Sequence, residues 1–157
     1  MDAETVDYVA IRRLQDAYAD IVTRRAWSEL EEIFLPEVRL TLDRRTLEPL
    51  VFEGPGAFGE FIATTIGGLD FFEFVVLNSV VELGHGGDAD RAVARTYMNE
   101  LRHDATSGQW TTVYGVYHDV HRRVDGRWWF AARRYHTLAR TGRALDAFAF
   151  PTADQWW

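Results

Sequence analysis

The 157-residue sequence contains no cysteine, which excludes disulfide bridges, thiolate nucleophiles and the common cysteine-based structural zinc sites. Proline is scarce, and none falls between residues 56 and 150, so nothing interrupts the β-rich half of the chain. Long hydrophobic runs are missing too. The most apolar stretch, Phe71 to Leu83, is broken by Glu73, Asn78, Ser79 and Glu82, whereas a spanning helix needs roughly 18 unbroken apolar residues. Positive charge is in deficit: 17 Lys and Arg against 24 Asp and Glu leave a formal net charge of −7. That balance speaks against nucleic acid or an anionic membrane as a partner. The P-loop, GxSxG and HExxH patterns are absent, which disfavours nucleoside triphosphate and zincin chemistry. Neither a metal nor an organic cofactor is expected. The opening MDAETVDY has no signal-peptide character, and with no cysteine the expected location is cytoplasmic.

Aromatic residues are plentiful, with six Trp, six Tyr and ten Phe. That exceeds what a minimal core needs and points to a roomy pocket or an interface. The length suits one domain over residues 1–157. Apolar residues Val6, Val9, Ala10, Leu14, Ala17, Tyr18, Ile21 and Val22 recur at three- and four-residue steps, which predicts an amphipathic helix over 4–24. Ser28 with Glu31 reads as a capping box for a short second helix that Pro36 ends. Residues 37–43 alternate as a short strand, with 50–53 as its hairpin partner. Gly54-Pro55 opens a third helix, closed by Gly67-Gly68. Four long strands follow at 70–83, 90–104, 109–124 and 127–140, with Asp125-Gly126 as the tightest hairpin signal. The aromatic tail from residue 144 is expected to dock.

The run Gly115-Val-Tyr117-His-Asp119, then Arg123-Val-Asp125-Gly126-Arg-Trp128-Trp-Phe130 and Arg133-Arg134, resembles the closing hairpin of SnoaL-like proteins. Tyr18 on the first helix, Trp27-Ser-Glu-Leu30 with Phe34, and Phe52-Glu-Gly54 with Ile62 are similar to the same family, so the resemblance covers essentially the whole chain. It implies the nuclear transport factor two fold of ketosteroid isomerase, scytalone dehydratase and dioxygenase small subunits. This is an α+β, cystatin-like cone: a curved mixed sheet wrapped around three helices. Dehydratase-type members carry an aspartate five residues after the helix-one tyrosine and a histidine on the first long strand. Here those positions are Thr23 and Phe74 or Val75, so the dyad is missing. Isomerase-like members carry an aspartate just after the first short strand, where this chain offers Leu42 and Asp43, and an acid on the third long strand, where it offers Asp119.

Tyr18 lies on the apolar helix face, either as plain core or as an oxyanion-stabilising donor. Asp119 shares its face with Tyr117 and Gly115, which the resemblance makes the concave one. It is either the ion-pair partner of Arg133, Arg134 or Arg95, or a desolvated acid or base. His103 matches a pocket histidine of scytalone dehydratase-like members and completes a candidate catalytic set of Asp119, Tyr18 and His103. His118 and His121, three apart on a strand, point to opposite faces and cannot share a metal. Arg134 and His136 share a face of the last strand. With Asn78, Tyr97 and Tyr117 they are candidates for substrate binding, the alternatives being surface, interface or a bulged backbone.

Two functions from different classes follow. One is cofactor-independent acid–base chemistry (isomerase, dehydratase or cyclase) on a small apolar polyketide-, steroid- or aromatic-type molecule. The other is a non-catalytic binding or accessory subunit. Apolar residues on both faces of the long strands, with helices able to cover only one, imply a homodimer.

Overall fold

The structure is a computed structural model that describes residues 2–142 and 146–157. Helix α1 (Ala3–Arg24) begins where the Asp2 side chain accepts from the Thr5 amide at 2.8 Å and ends at Arg25, whose φ of 59° stops the helical repeat. It buries Ile11, Leu14, Gln15, Tyr18, Ile21 and Val22. Its first turns are tied to the sheet through Asp7, which accepts from Arg123 Nη1 at 2.9 Å and Trp128 Nε1 at 2.8 Å.

The second helix differs from its sequence signal. It is a 3-10 turn over Trp27–Glu32 that starts after Ala26, with no side-chain cap, so Ser28 does not cap it. Burial of Leu30 against the core sets its position instead. Nor does Pro36 end it, because strand β1 (Phe34–Asp43) already runs through that residue. The register with the neighbouring strand breaks between Phe34 and Arg39, and in such an irregular stretch a missing N–H costs no ladder hydrogen bond. Strand β2 (Leu50–Glu53) and helix α2 (Pro55–Thr65) follow, then the long strands β3 (Leu69–Leu83), β4 (Arg91–Asp104), β5 (Trp110–Val124) and β6 (Arg127–Arg140).

The six strands form one mixed sheet in the order β2-β1-β6-β5-β4-β3, with β1 parallel to β6 and every other pair antiparallel. Asp125 and Gly126 both take positive φ, 50° and 78°, as a two-residue type I′ turn requires. Bulges interrupt β3–β4 between Val76 and Asn78 and β5–β6 at Tyr114/Gly115 and Val120/His121. These bends let strands of this length curl around α1 and α2. Gly115 sits on the inner face, where an added Cβ would lie 2.3 Å from the Tyr135 ring and 2.8 Å from Met98 Sδ. Only glycine lets that ring cross the strand.

The inner face carries the core: Phe72 and Phe74 from β3, Met98 from β4, Val113 and Tyr117 from β5, and Phe130 and Tyr135 from β6, packed against α1 and α2. The outer face is partly covered by the chain's own end. Ala147 bridges to Ala139, the Phe148 amide donates to Leu138 O at 2.8 Å, and Trp156 stacks on His118 at 5.2 Å and 8°. The described part of the aromatic tail thus docks, while residues 144 and 145 lie outside the described residues. No helix among the described residues is long and apolar enough to cross a membrane.

Candidate functional site

Two-residue alternation on β5, and on β6 with one extra residue between Phe130 and Ala132, aims Tyr117, Asp119 and His121 together with Phe130, Arg133 and Tyr135 into the cone. Asp119 is wholly buried, and both of its oxygens accept from Arg133, Oδ1 from Nε at 2.7 Å and Oδ2 from Nη2 at 3.2 Å. The guanidinium carbon lies 4.1 Å from the ring centroid of Tyr18, 3.9 Å from Tyr117 and 4.6 Å from Phe130. Such desolvated cation–π contacts reach about 2 kcal/mol each and offset part of the cost of burying the charge. The Tyr18 and Tyr117 hydroxyls approach to 3.5 Å.

Burial dominates the electrostatics of this cluster. It raises the Asp119 carboxyl above the usual carboxylate range, with Arg133 pulling the other way. Burial likewise works against the Arg133 cation, but Asp119 and the two phenols more than offset it, so the guanidinium stays charged. Tyr18 and Tyr117 are both raised by burial. His121 is held down to about 3, first by burial and then by the Arg133 charge. Neither of its ring nitrogens has a hydrogen-bond partner among the described residues.

Thr23 and Phe74, the latter one of the two positions at which the resemblance places the dyad histidine, are also in contact. Thr23 Oγ1 accepts from the Phe74 amide at 3.0 Å, a hydrogen bond between a hydroxyl and a backbone, with no group that titrates near neutral pH. Among the described residues no cluster of three or more His, Asp or Glu is placed to hold a metal ion.

At the open end of the cone a cavity of about 210 Å³ reaches down to Leu69 and Val113 of the core, with Arg102, Arg140 and Thr111 among its walls. Arg102 pairs with the partly buried Glu100. The Tyr135 phenol, which accepts from Thr137 at 3.1 Å, is pushed up to about 12, by burial first and by Glu100 second. The mouth therefore offers the guanidiniums of Arg102, paired with Glu100, and Arg140, together with the Asp104 carboxylate, among mostly polar walls above Leu69 and Val113.

The structure brings Tyr18, Tyr117 and Asp119 together and disperses the rest of the expected set. His103 points outward, pairs with Asp70 and lies 4.8 Å from the Trp110 ring at a tilt of 44°, so it does not complete a catalytic group with Asp119 and Tyr18. Asn78 is exposed beside Tyr97, because the β3 bulge sets both on the outer face. Tyr97 lies near Phe150 of the tail at 6.2 Å. Arg134 donates to Gln155 O at 3.1 Å, and His136 is buried on the same outer face, 3.4 Å from Asp43. That placement also removes Asp43 from the cone, since it pairs across the sheet with His136.

Arg133 had one signal in the sequence, its place in the double Arg133-Arg134, and only the bulge at Val120/His121 decides between the two. In an unbulged hairpin from Asp125-Gly126, Asp119 would face Ala132; the extra residue brings Arg133 opposite it. Arg102 and Arg140 gave no signal beyond lying on strands, since their convergence depends on sheet curvature.

Known proteins resemble the chain throughout. A model of the SnoaL-like domain matches residues 3–134. A structure from Novosphingobium aromaticivorans named as a putative scytalone dehydratase superposes with a TM-score of 0.76 at 18% identity, covering 92% of each chain. The hexachlorocyclohexane dehydrochlorinase LinA-type3 from Novosphingobium barchaimii gives 0.77 at 19% identity, over 94% of this chain and 97% of that one. A cystatin-like-fold protein of unknown function from Nostoc punctiforme gives 0.68 at 12% identity, over 87% and 95%. No curated protein matches.

Three histidines are buried and depressed: His118 and His121 to about 3 and His136 to about 4. Each protonates in the unfolded chain near 6.5 but resists protonation in the native one, so the stability they contribute is present above about pH 6.5 and lost as pH falls toward 4. The raised Asp119 acts in the opposite sense and offsets part of the loss. His121 alone removes about 1.4 kcal/mol for each pH unit below 6.5. Urea denaturation at pH 7, 6 and 5 is expected to show that decline, made shallower by His121→Phe; a flat profile contradicts it.

Proposed function

Because the chain belongs to the SnoaL-like family, which includes dehydratases and isomerases, we propose that its cone is a pocket for a small, largely apolar molecule with an anionic or strongly polar end, and that it binds without dyad chemistry. The hydrogen bond from the Phe74 amide to Thr23 Oγ1 carries this reading, because it fills the place of the family's base and acid with groups that transfer no proton. Asp119, the remaining buried carboxyl of the interior cluster, has both oxygens committed to Arg133. Arg102 and Arg140 at the mouth favour the charged end of a ligand.

A second reading is cofactor-independent isomerisation, dehydration or cyclisation. It is favoured by two phenols 3.5 Å apart beside a guanidinium, a set that would donate to a developing oxyanion. Two of the similar structures carry names of eliminating enzymes, a dehydratase and a dehydrochlorinase. We also propose a homodimer formed through the outer face of β3 to β5, where Phe71, Val80, Trp110 and Tyr114 are exposed.

Titration with 2-naphthoate, followed by tryptophan fluorescence and calorimetry, is expected to show saturable binding that weakens at least tenfold in Arg140→Gln. Absence of binding at millimolar ligand contradicts the pocket. Incubating a β,γ-unsaturated ketone with the protein in deuterated water separates the two readings. No protein-dependent deuterium uptake is expected, whereas uptake abolished by Tyr18→Phe would establish the enzyme instead. Light scattering at micromolar protein is expected to return the mass of two chains, and a one-chain mass refutes the dimer.

A further inference from the structure

The outer face of the sheet holds a second cavity, of about 140 Å³, closed over by the end of the chain. Its floor is His118 of β5 with Thr41 of β1, its rim carries Arg39 and Arg134, and its roof is Trp156 and Trp157. His118 is 1% exposed, yet among the described residues neither of its ring nitrogens has a hydrogen-bond partner. A buried imidazole left in that state bears the desolvation penalty of its polar atoms with nothing to offset it, and such groups in folded proteins are nearly always paired with protein, water or ligand.

The surroundings specify what would pair with it. Arg134 spends one donor on Gln155 O at 3.1 Å, and among the described residues its four other N–H groups have no acceptor. Arg95 stands close by, its guanidinium carbon 4.8 Å from the Trp156 ring. No side-chain carboxylate among the described residues lines the cavity. Burial first, then His136, Arg95 and Arg134, hold His118 at a pKa of about 3, so at neutral pH it is an uncharged donor and acceptor within a cationic setting. The walls are aromatic: Trp156 stacks on His118 at 5.2 Å, and the Trp157 ring lies 5.3 Å away at 68°. An apolar cavity of about 150 Å³ admits one benzene ring, so this space takes one ring and no more.

We infer that the cavity beneath the C-terminal tail is a binding site for a small carboxylate bearing at most one planar ring. The carboxylate accepts from Arg134 and from His118, and the ring packs against the indoles of the roof. The site is on the opposite face of the sheet from the cone and does not depend on the function proposed for it. Occupancy would pin the tail to the sheet, since every roof residue belongs to the tail.

Protein labelled with ¹⁵N in its imidazoles, titrated with benzoate, benzyl alcohol and inorganic phosphate, tests the assignment. The expected result is a saturable, one-site shift of the His118 ring nitrogens with benzoate. Binding of benzyl alcohol, which lacks the charge, and of phosphate, which lacks the ring, should each be at least tenfold weaker. Arg134→Gln should weaken benzoate at least tenfold, while Arg140→Gln at the cone mouth leaves it unchanged. Static His118 signals in the unmodified protein at millimolar benzoate overturn the proposal, whatever the variants do. So does equal affinity for benzyl alcohol, which would mean an apolar hole only, or equal affinity for phosphate, which would mean a simple anion patch. Loss of benzoate binding in Arg140→Gln would place the ligand in the cone and overturn the outer site while leaving the cone reading intact.

Discussion

The interior of this fold is organised by one buried ion pair. Asp119 and Arg133 face each other across the closing hairpin at 2.7 Å with no access to solvent, and removing either charge would strand the other in a medium that penalises it heavily. Burial of the pair is tolerable because the guanidinium is enclosed by Tyr18, Tyr117 and Phe130. Those rings come from α1, β5 and β6, so the pair sets how the first helix seats in the cone. Gly115 serves the same arrangement further up the strand, where it lets Tyr135 cross the inner face.

That arrangement carries a chemical consequence. Asp119 has both oxygens tied to Arg133 even though burial raises its carboxyl, and a histidine whose pKa is pressed to about 3 by burial and Arg133 carries no proton to give near neutral pH. Thr23 and Phe74 are joined by a hydrogen bond, and the guanidiniums of Arg102 and Arg140 line the cavity at the mouth. The interior keeps the family's fold, and its buried carboxylate Asp119 is committed to Arg133.

Much of the fold was legible because period and turn chemistry act locally. The 3.6-residue repeat of α1, the long β-rich runs and Asp125-Gly126 each gave their elements to within a residue or two. The short second helix was misjudged because Ser28-Glu31 mimics a cap while Leu30 burial sets the actual turn. The site was only half legible. Alternation correctly separated His118 from His121 and placed Asp119 with Tyr117, but the partner of Asp119 depends on one bulged residue at Val120/His121, and His103, Tyr97, Arg134 and His136 all fell on the far face. Face assignment on a bulged strand depends on cross-strand register, which no single strand encodes. The tail's cover of the outer face depends on contacts between residues more than thirty positions apart, such as Trp156 on His118.

A double-mutant cycle of Asp119→Asn, Arg133→Gln and the two combined, read by chemical denaturation at pH 7, measures the central interaction directly. Each single change is expected to cost about 3–5 kcal/mol. The double variant should lose much less than the two together, which corresponds to a coupling of about 2–3 kcal/mol. Additive losses, or single variants as stable as the parent, would show that the pair does not organise the interior and would free Asp119 for acid–base work.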